Sequence, residues 1–433
     1  MMLTTVGVLA IILLLFLLLL GVPIAFAMGA AGLLGILVLE GPAAAMAQAA
    51  LVPWAEARSF VLVTIPLFVL MGQLVFHTGL ATELYDGLRA WIGWIPGGMA
   101  ITSVLACGAF GAVTGSSIAT VATMGAIVMP EMDRFGYDRR LATGALAASG
   151  TLGILIPPSV IFIFYGVMTE TSIGALFIAG IIPGILTAAM FSAIIYFRCL
   201  VRPELGPPGP VGSWRERLDA VKRLGPILGL FILVIGGIYG GIFTPTEAAG
   251  VGCAGVLVAA LPRQRLNLRD VRKAMEDTVL ISVMLLAIIV GGYVFARLMA
   301  VTEITESLVG LLVGLDLGRA GFLFVLVFLY LGLGAMLDVF GMLVLSIPFV
   351  MPVVLALGID PVWFGVFVVI MAEVALVTPP IGANVFVMRR IAPDVPMEDI
   401  FWGVAPFVLG EFVVILLLVL FPAIALWLPS LMP

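Results

Sequence analysis

TGSSIAT at residues 114–120 and LIPPS at residues 155–159 are the two interruptions in an otherwise apolar stretch running from Thr114 to Ser159. Neither a polar glycine-rich run nor a double proline suits an ordinary membrane-spanning helix. A backbone that breaks at bilayer depth leaves N–H and C=O groups without partners, and that is tolerated only where protein, water or a bound solute satisfies them. The stretch therefore predicts a solute site.

The surrounding composition sets the class. Of 433 residues 63% are hydrophobic and 10% are charged, with a mean hydropathy of +1.28, whereas a soluble domain carries about 25% charged residues. Apolar runs of roughly 20 residues, long enough to cross the hydrocarbon core, recur along the whole chain, which predicts an all-α polytopic membrane protein in a lipid bilayer. The net charge of −5 is small and the basic residues are clustered, so charge informs topology and nucleic acid is excluded as a partner. Cys107, Cys199 and Cys253 stand singly in apolar surroundings, without the spacing of a metal or redox motif. They read as packing residues. The run Leu3–Leu20 has no Lys or Arg before it and reads as a first span rather than a signal peptide.

Taken in order, a first span to Gly21–Pro23 is followed by a second at about 24–39, a loop from Glu40 to Arg58, and a third span ending near His77. Residues 79–94 carry Glu83, Asp86, Arg89, Trp91 and Trp94, which suits a helix lying at the interface. Residues 98–130 have arms of about 15 residues either side of the polar break, too short for two full crossings, and read as a re-entrant hairpin. Residues 141–168 contain Pro157–Pro158 and read as a broken span, and a further span covers 173–197. A basic, Pro/Gly-rich stretch from 198 to 225 follows. Its part from 206 to 225 is the expected linker between a first unit, 1–205, and a second, 226–433.

The two units repeat. A shift of 222 residues takes Pro23 to Pro245, VMP at 128–130 to VMP at 350–352, Gly136 to Gly358, Asp138 to Asp360, and Pro157–Pro158 to Pro379–Pro380. Internal symmetry of this kind marks many transporters, and it predicts a second hairpin at 322–352 and a second broken helix at 361–390. Placing the basic clusters at 134–140, 198–223, 263–273 and 389–390 on the cytoplasmic side gives each half about five crossings and one hairpin. An odd number inverts the second half relative to the first and puts both termini on the opposite face.

The hairpin tips and Pro-Pro breaks then converge near mid-bilayer. Helix N-termini offer N–H donors to an anion, while hydroxyls and broken C-terminal ends offer oxygens to a hard cation such as Na⁺. Asp338, in the second tip, is an acid at a depth where ionisation costs about 2.5–3.5 kcal/mol, so a coupling cation, a polar cavity or a hydrogen bond from its protonated form must offset it. Glu373 and Asn384 flank the second break; Asn384 either coordinates or caps. Glu247 in FTPTEAAG reads as a helix cap, His77 as a span-end residue, and Arg389 with Arg390 as topology markers. No nucleophile–base pair or metal-ligand set is present for an enzyme.

GSSIATVATMGAIVMPEMDRFGY (115–137), GTLGILIPPS (150–159), GIFTPTEAAG (241–250), GAMLDVFGMLVLSIPFVMP (334–352) and LVTPPIGANVF (376–386) together resemble the large membrane subunit of the tripartite ATP-independent periplasmic (TRAP) transporters, over nearly the whole chain. The resemblance implies import of organic acids such as C4-dicarboxylates or sialic acid, driven by Na⁺ and using elevator motion in the cytoplasmic membrane. It implies two partners, a small four-helix membrane subunit and a periplasmic substrate-binding protein. Carried over by position, it implies that Thr114, Gly115, Ser116, Ser117, Pro157, Pro158, Ser159, Gly334, Asp338, Thr378, Pro379, Pro380 and Asn384 line the substrate and Na⁺ sites. A single-component anion symporter coupled to Na⁺ or H⁺, with similar hairpins and no binding protein, is the competing expectation.

Overall fold

A computed structural model describes residues 2–260, 267–304, 310, 318–380 and 382–432. The expected loop arginines Arg263 and Arg265, and Ile381 of the second break, lie outside the described residues. Among those described the protein is all-helical.

The first half runs through α1 (Met2–Leu19), α2 (Ile24–Glu40), α3 (Pro42–Ala57), α4 (Thr64–His77, entered through a 3₁₀ turn at Phe60–Val63), α5 (Leu80–Ile92), α6 (Gly98–Thr114), α7 (Ser117–Arg134), α8 (Arg139–Ser149), α9 (Leu152–Leu155), α10 (Val160–Thr169) and α11 (Ile173–Val201). The second half runs through α12 (Trp214–Phe231), a π turn at Ile232–Gly236, α13 (Gly237–Tyr239), α14 (Pro245–Ala260), α15 (Leu268–Val301), α16 (Gly318–Gly334), α17 (Val339–Ala356), α18 (Pro361–Val377), α19 (Ala383–Ile391), α20 (Met397–Leu420) and α21 (Ala423–Leu426).

The helices break where residue chemistry requires it. Gly115 ends α6 in the left-handed region at φ +62°, a conformation that costs glycine nothing, and Ser116 starts α7 by accepting from the Ala119 N–H. Asp338 does the same for α17 through Gly341 N–H at 2.8 Å. Asp138 caps α8 through Leu141 N–H at 2.8 Å, and Asp360 caps α18 through the N–H groups of Val362 and Trp363. Gly136 and Gly358, which precede these caps, are both left-handed. These are the residues paired by the 222-residue shift, and they are paired because each sets a helix boundary. Thr244 and Glu247 exchange hydrogen bonds at the start of α14, so Glu247 is a cap.

Among the described residues six helices are long and apolar enough to cross a membrane, and the pair Arg139–Leu155 and Val160–Thr169, bent by 44°, is a seventh candidate. Among the helices read as crossings, α1, α2, α14 and α18 are apolar but shorter; 17 residues rise about 25 Å against a core of about 30 Å. Several present large apolar side chains outward, including Leu9, Ile12 and Phe16 of α1 and Phe324 and Phe328 of α16, as lipid-facing helices do.

Two expectations are corrected. Residues 40–58 are not a loop: they form α3, started by Pro42 at its first position, and the alanine-rich sequence has strong helix propensity. None of α3 is buried, Met46, Leu51 and Trp54 project outward, and Arg58 stacks over Trp54. The linker expected at 206–225 is irregular only as far as Ser213, where Ser213 and Glu216 make a reciprocal capping box and launch α12. A box of this type satisfies two orphan N–H groups and overrides the basic, proline-rich composition around it. The hairpin arms also extend slightly further than expected, to Arg134 in the first and over Gly318–Ala356 in the second.

At one end of the molecule the turns after α7 and α19 meet the end of α11. Arg139 pairs with Asp133 and Asp394, Arg140 pairs with Asp399, and Arg198 and Arg202 line the same cleft. Where α8 meets α20, the backbones approach without side chains between them. A Cβ on Gly403 of α20 would lie 2.1 Å from the Arg140 carbonyl oxygen on α8, and one on Gly144 would lie 2.3 Å from the Gly403 carbonyl carbon. Gly403→Ala is therefore predicted to destabilise the protein by about 1–3 kcal/mol, read as a lowered unfolding midpoint in detergent. An exposed control, Gly229→Ala, which meets nothing nearby, leaves the midpoint within about half a kcal/mol.

Candidate functional site

A cavity of about 250 Å³ lies where the four breaks come together. The first hairpin tip contributes Thr114, Gly115, Ser116, Ser117 and Ile118, and the second contributes Gly334, Met336, Leu337, Asp338, Val339 and Phe340. Ile154, Val160 and Ile161 come from the first broken helix, and Ala375, Leu376 and Ala383 from the second. Val69 and Gln73 of α4, with Ile281 and Leu285 of α15, close it from the side.

Helix ends dominate this lining. The first residues of α7, α10, α17 and α19 border the cavity, and so do the last turns of α6, α9, α16 and α18. Each N-terminus carries roughly half a positive elementary charge and unsatisfied N–H groups, and each C-terminus the opposite. The four N-termini are not equivalent. Ser116 and Asp338 cap α7 and α17 with their side chains. At α10 the capping residue Ser159 donates instead to the Ile154 carbonyl at 2.5 Å, and at α19 the capping residue is Gly382, at φ +50°. Neither α10 nor α19 has a side-chain cap, so their first N–H groups remain available to a solute anion.

The tips are held by close packing. A Cβ on Gly72 of α4 would lie 2.7 Å from the Thr114 carbonyl oxygen, one on Gly115 would meet Val160 at 3.1 Å, and one on Gly334 would lie 2.2 Å from the Ala375 Cβ. Asn384 crosses between the halves: its buried amide donates to Ser117 Oγ at 2.7 Å and to the Ala147 carbonyl oxygen on α8 at 2.9 Å. The Thr114 and Thr120 hydroxyls lie 3.3 Å apart, and Thr120 also donates to the Ser116 carbonyl.

The residues named from sequence divide accordingly. Thr114, Gly115, Ser116, Ser117, Gly334 and Asp338 line the cavity. Asp338 is exposed at its tip and works as a helix cap, so a backbone N–H and the α17 dipole offset its charge. Asn384 stands behind the lining as a cross-link and not as a cap. Pro157, Pro158 and Ser159 are buried under it, and Pro157–Pro158 is a cis bond. Pro379 and Pro380 are exposed, Thr378 is half-buried, and none of these three lines the cavity. Gln73 was missed, although a polar side chain inside the apolar TIPLFVLMGQLVFH is a legible signal. The apolar contributors from α4 and α15 have no such signal.

A polytopic helical membrane protein whose broken helices and hairpins converge on a cavity has the organisation of a secondary transporter. The comparisons with known proteins agree. Residues 11–424 match the family model described as the tripartite ATP-independent periplasmic transporter, DctM component. The C4-dicarboxylate TRAP transporter large permease protein DctM of Vibrio cholerae is 32% identical, over 95% of this chain and 95% of that one. The ectoine/5-hydroxyectoine TRAP transporter large permease protein UehC of Ruegeria pomeroyi is 33% identical, over 96% of each. Among solved structures, the Alcanivorax borkumensis YdaH transporter has the same fold, with a TM-score of 0.61 at 16% identity over 96% of this chain and 98% of that one. The chain belongs to the DctM family of TRAP transporter large permeases. Its relatives are transport proteins and not enzymes.

Replacing Asn384 with Ala leaves the buried Ala147 carbonyl and Ser117 hydroxyl without this donor. The predicted cost is about 1–3 kcal/mol, measured by thermal unfolding, with a smaller loss in Asn384→Gln if the longer amide still reaches either acceptor.

Proposed function

We propose that this chain is the membrane permease of a Na⁺-coupled importer of small organic acids in the cytoplasmic membrane. It works with a small membrane subunit and takes substrate from a periplasmic binding protein. The observation that carries the reading is the convergence of four helix N-termini and four helix C-termini on one small cavity. The substrate carboxylate is held by the open N–H groups of α10 and α19 together with hydroxyls of the first tip. Na⁺ is held by oxygens of the opposite kind, the carbonyl ends of α6, α9, α16 and α18 and the hydroxyls of Thr114 and Ser116.

Coupling follows from this geometry. An anion among positive helix ends and a cation among negative ones each reduce the repulsion that the other's site would suffer when empty, so the pair binds better than either alone. In this reading the two halves are inverted repeats with both termini on the periplasmic side. Hairpins and broken helices move together as an elevator against the remaining spans, exposing the cavity to each face in turn. The relatives named above serve a C4-dicarboxylate in one case and ectoine in another, so the small carboxylate is the common chemistry.

Uptake of a labelled C4-dicarboxylate into proteoliposomes tests the proposal, with the small subunit and candidate binding proteins supplied and an inward Na⁺ gradient imposed. Uptake is expected to rise with the gradient and to need a binding protein. Ser116→Ala and Asp338→Asn are expected to lower it about tenfold or more, the equivalent of losing one good contact. Uptake that is flat across Na⁺ concentrations overturns the coupling, and full uptake by the chain alone overturns the tripartite arrangement.

A further inference from the structure

Behind the cavity, two acids share an enclosed place without a basic partner. Glu373 in α18 and Glu411 in α20 are wholly buried on helices that pack together. Thr151, at the turn between α8 and α9, donates to the Ala148 carbonyl at 2.7 Å and shares that O–H with one oxygen of Glu411 at 3.3 Å. Among the described residues, neither oxygen of Glu373 has a hydrogen-bond partner, nor does the second oxygen of Glu411. α18 packs against both α20 and α9, the helix that follows Thr151.

The helices packed against α18 and α20 offer no counter-charge. Arg139 and Arg140 of α8 pair with Asp133, Asp394 and Asp399, and Arg389 of α19 bonds the Pro393 and Val395 carbonyls. Arg319 of α16 bonds the Leu357 and Gly358 carbonyls, Tyr330 of α16 bonds Ser346, and Tyr165 of α10 bonds the Pro361 carbonyl. Arg390 of α19, Tyr196, Arg198 and Cys199 of α11, and Glu398 and Asp399 of α20 complete the titratable groups of those helices. Among the described residues no arginine, lysine or histidine forms an ion pair with either buried acid.

Two carboxylates cannot both stay ionised in such a place, because each loses its hydration and repels the other. We propose that Glu373, Glu411 and Thr151 form a binding site for one monovalent cation, a proton or Na⁺, distinct from the cavity. The donors are all oxygens, as a hard cation requires. Full enclosure disfavours Mg²⁺, which keeps several of its waters.

Its position gives the site a line to the substrate. Ala375 and Leu376, which line the cavity, follow Glu373 on α18. Thr151 lies one helical turn beyond Ala147, whose carbonyl is held by Asn384 and through it by Ser117. The use of the cation in transport rests on the transport reading above. Its binding does not, and can be tested without transport.

The test compares the full chain in lipid nanodiscs with its E373Q/E411Q variant, following the unfolding midpoint between about pH 5 and 9 in choline and in sodium buffers. A cation bound only by the folded protein stabilises it. If the ion is a proton, the wild-type midpoint falls by several degrees as pH rises, and the double variant lacks that part of the fall. If it is Na⁺, sodium but not choline raises the wild-type midpoint by more than it raises the variant's. Either difference supports the site and names the ion, while pH and sodium profiles that overlay in the two proteins overturn it. Should the variant not fold, infrared difference spectra of the wild type decide. A buried carboxylic-acid band that disappears at high pH or on sodium addition supports the site, and its absence under every condition overturns it.

Discussion

A backbone interrupted inside a membrane must find partners for the groups it frees, and this protein meets that constraint by bringing its interruptions together. Four breaks placed far apart in the chain become neighbours, so that each helix end lies near ends of the opposite polarity. The arrangement leaves a small space at the centre where the satisfaction is incomplete. That space is the cavity, and its chemistry is peptide chemistry as much as side-chain chemistry.

Bringing backbones so close requires residues that are barely there. Gly72 under Thr114, Gly334 under Ala375, and Gly144 against Gly403 each hold two helices at a distance that a methyl group would forbid. Small residues serve membrane helices in this way because dispersion and hydrogen bonding, rather than expulsion of water, hold the helices together. The same close approach makes the tips depend on their neighbours: Val69 and Gln73 of α4 border the cavity on the helix against which Thr114 is pressed.

The breaks were legible in the sequence because they need unusual residues. Proline pairs, a left-handed glycine and capping Ser or Asp cannot be disguised in an apolar run, and the proline pair, Gly136 and Asp138 recur unchanged 222 positions later. The reading failed where local chemistry competed with composition. Ser213 and Glu216 start a helix inside a stretch that looks like a linker, and alanines make a helix of residues that look like a loop. Side chains that reach the cavity from intact helices were out of reach, since Val69, Ile281 and Leu285 do not differ from lipid-facing neighbours until the helices are packed. Glu411 was overlooked although an acid within FVLGEFVVILLL is conspicuous on the cost of burying it. Asp338 lines the cavity, and its carboxylate accepts from the Gly341 N–H at the start of its own helix, a cap that the cost of burying an acid does not by itself disclose.

The two proline pairs occupy matching positions in their halves, yet Pro157–Pro158 is buried and Pro379–Pro380 is exposed. Sequence symmetry therefore does not impose structural symmetry here: like dipeptides at matched positions take a packed setting in one half and an open one in the other.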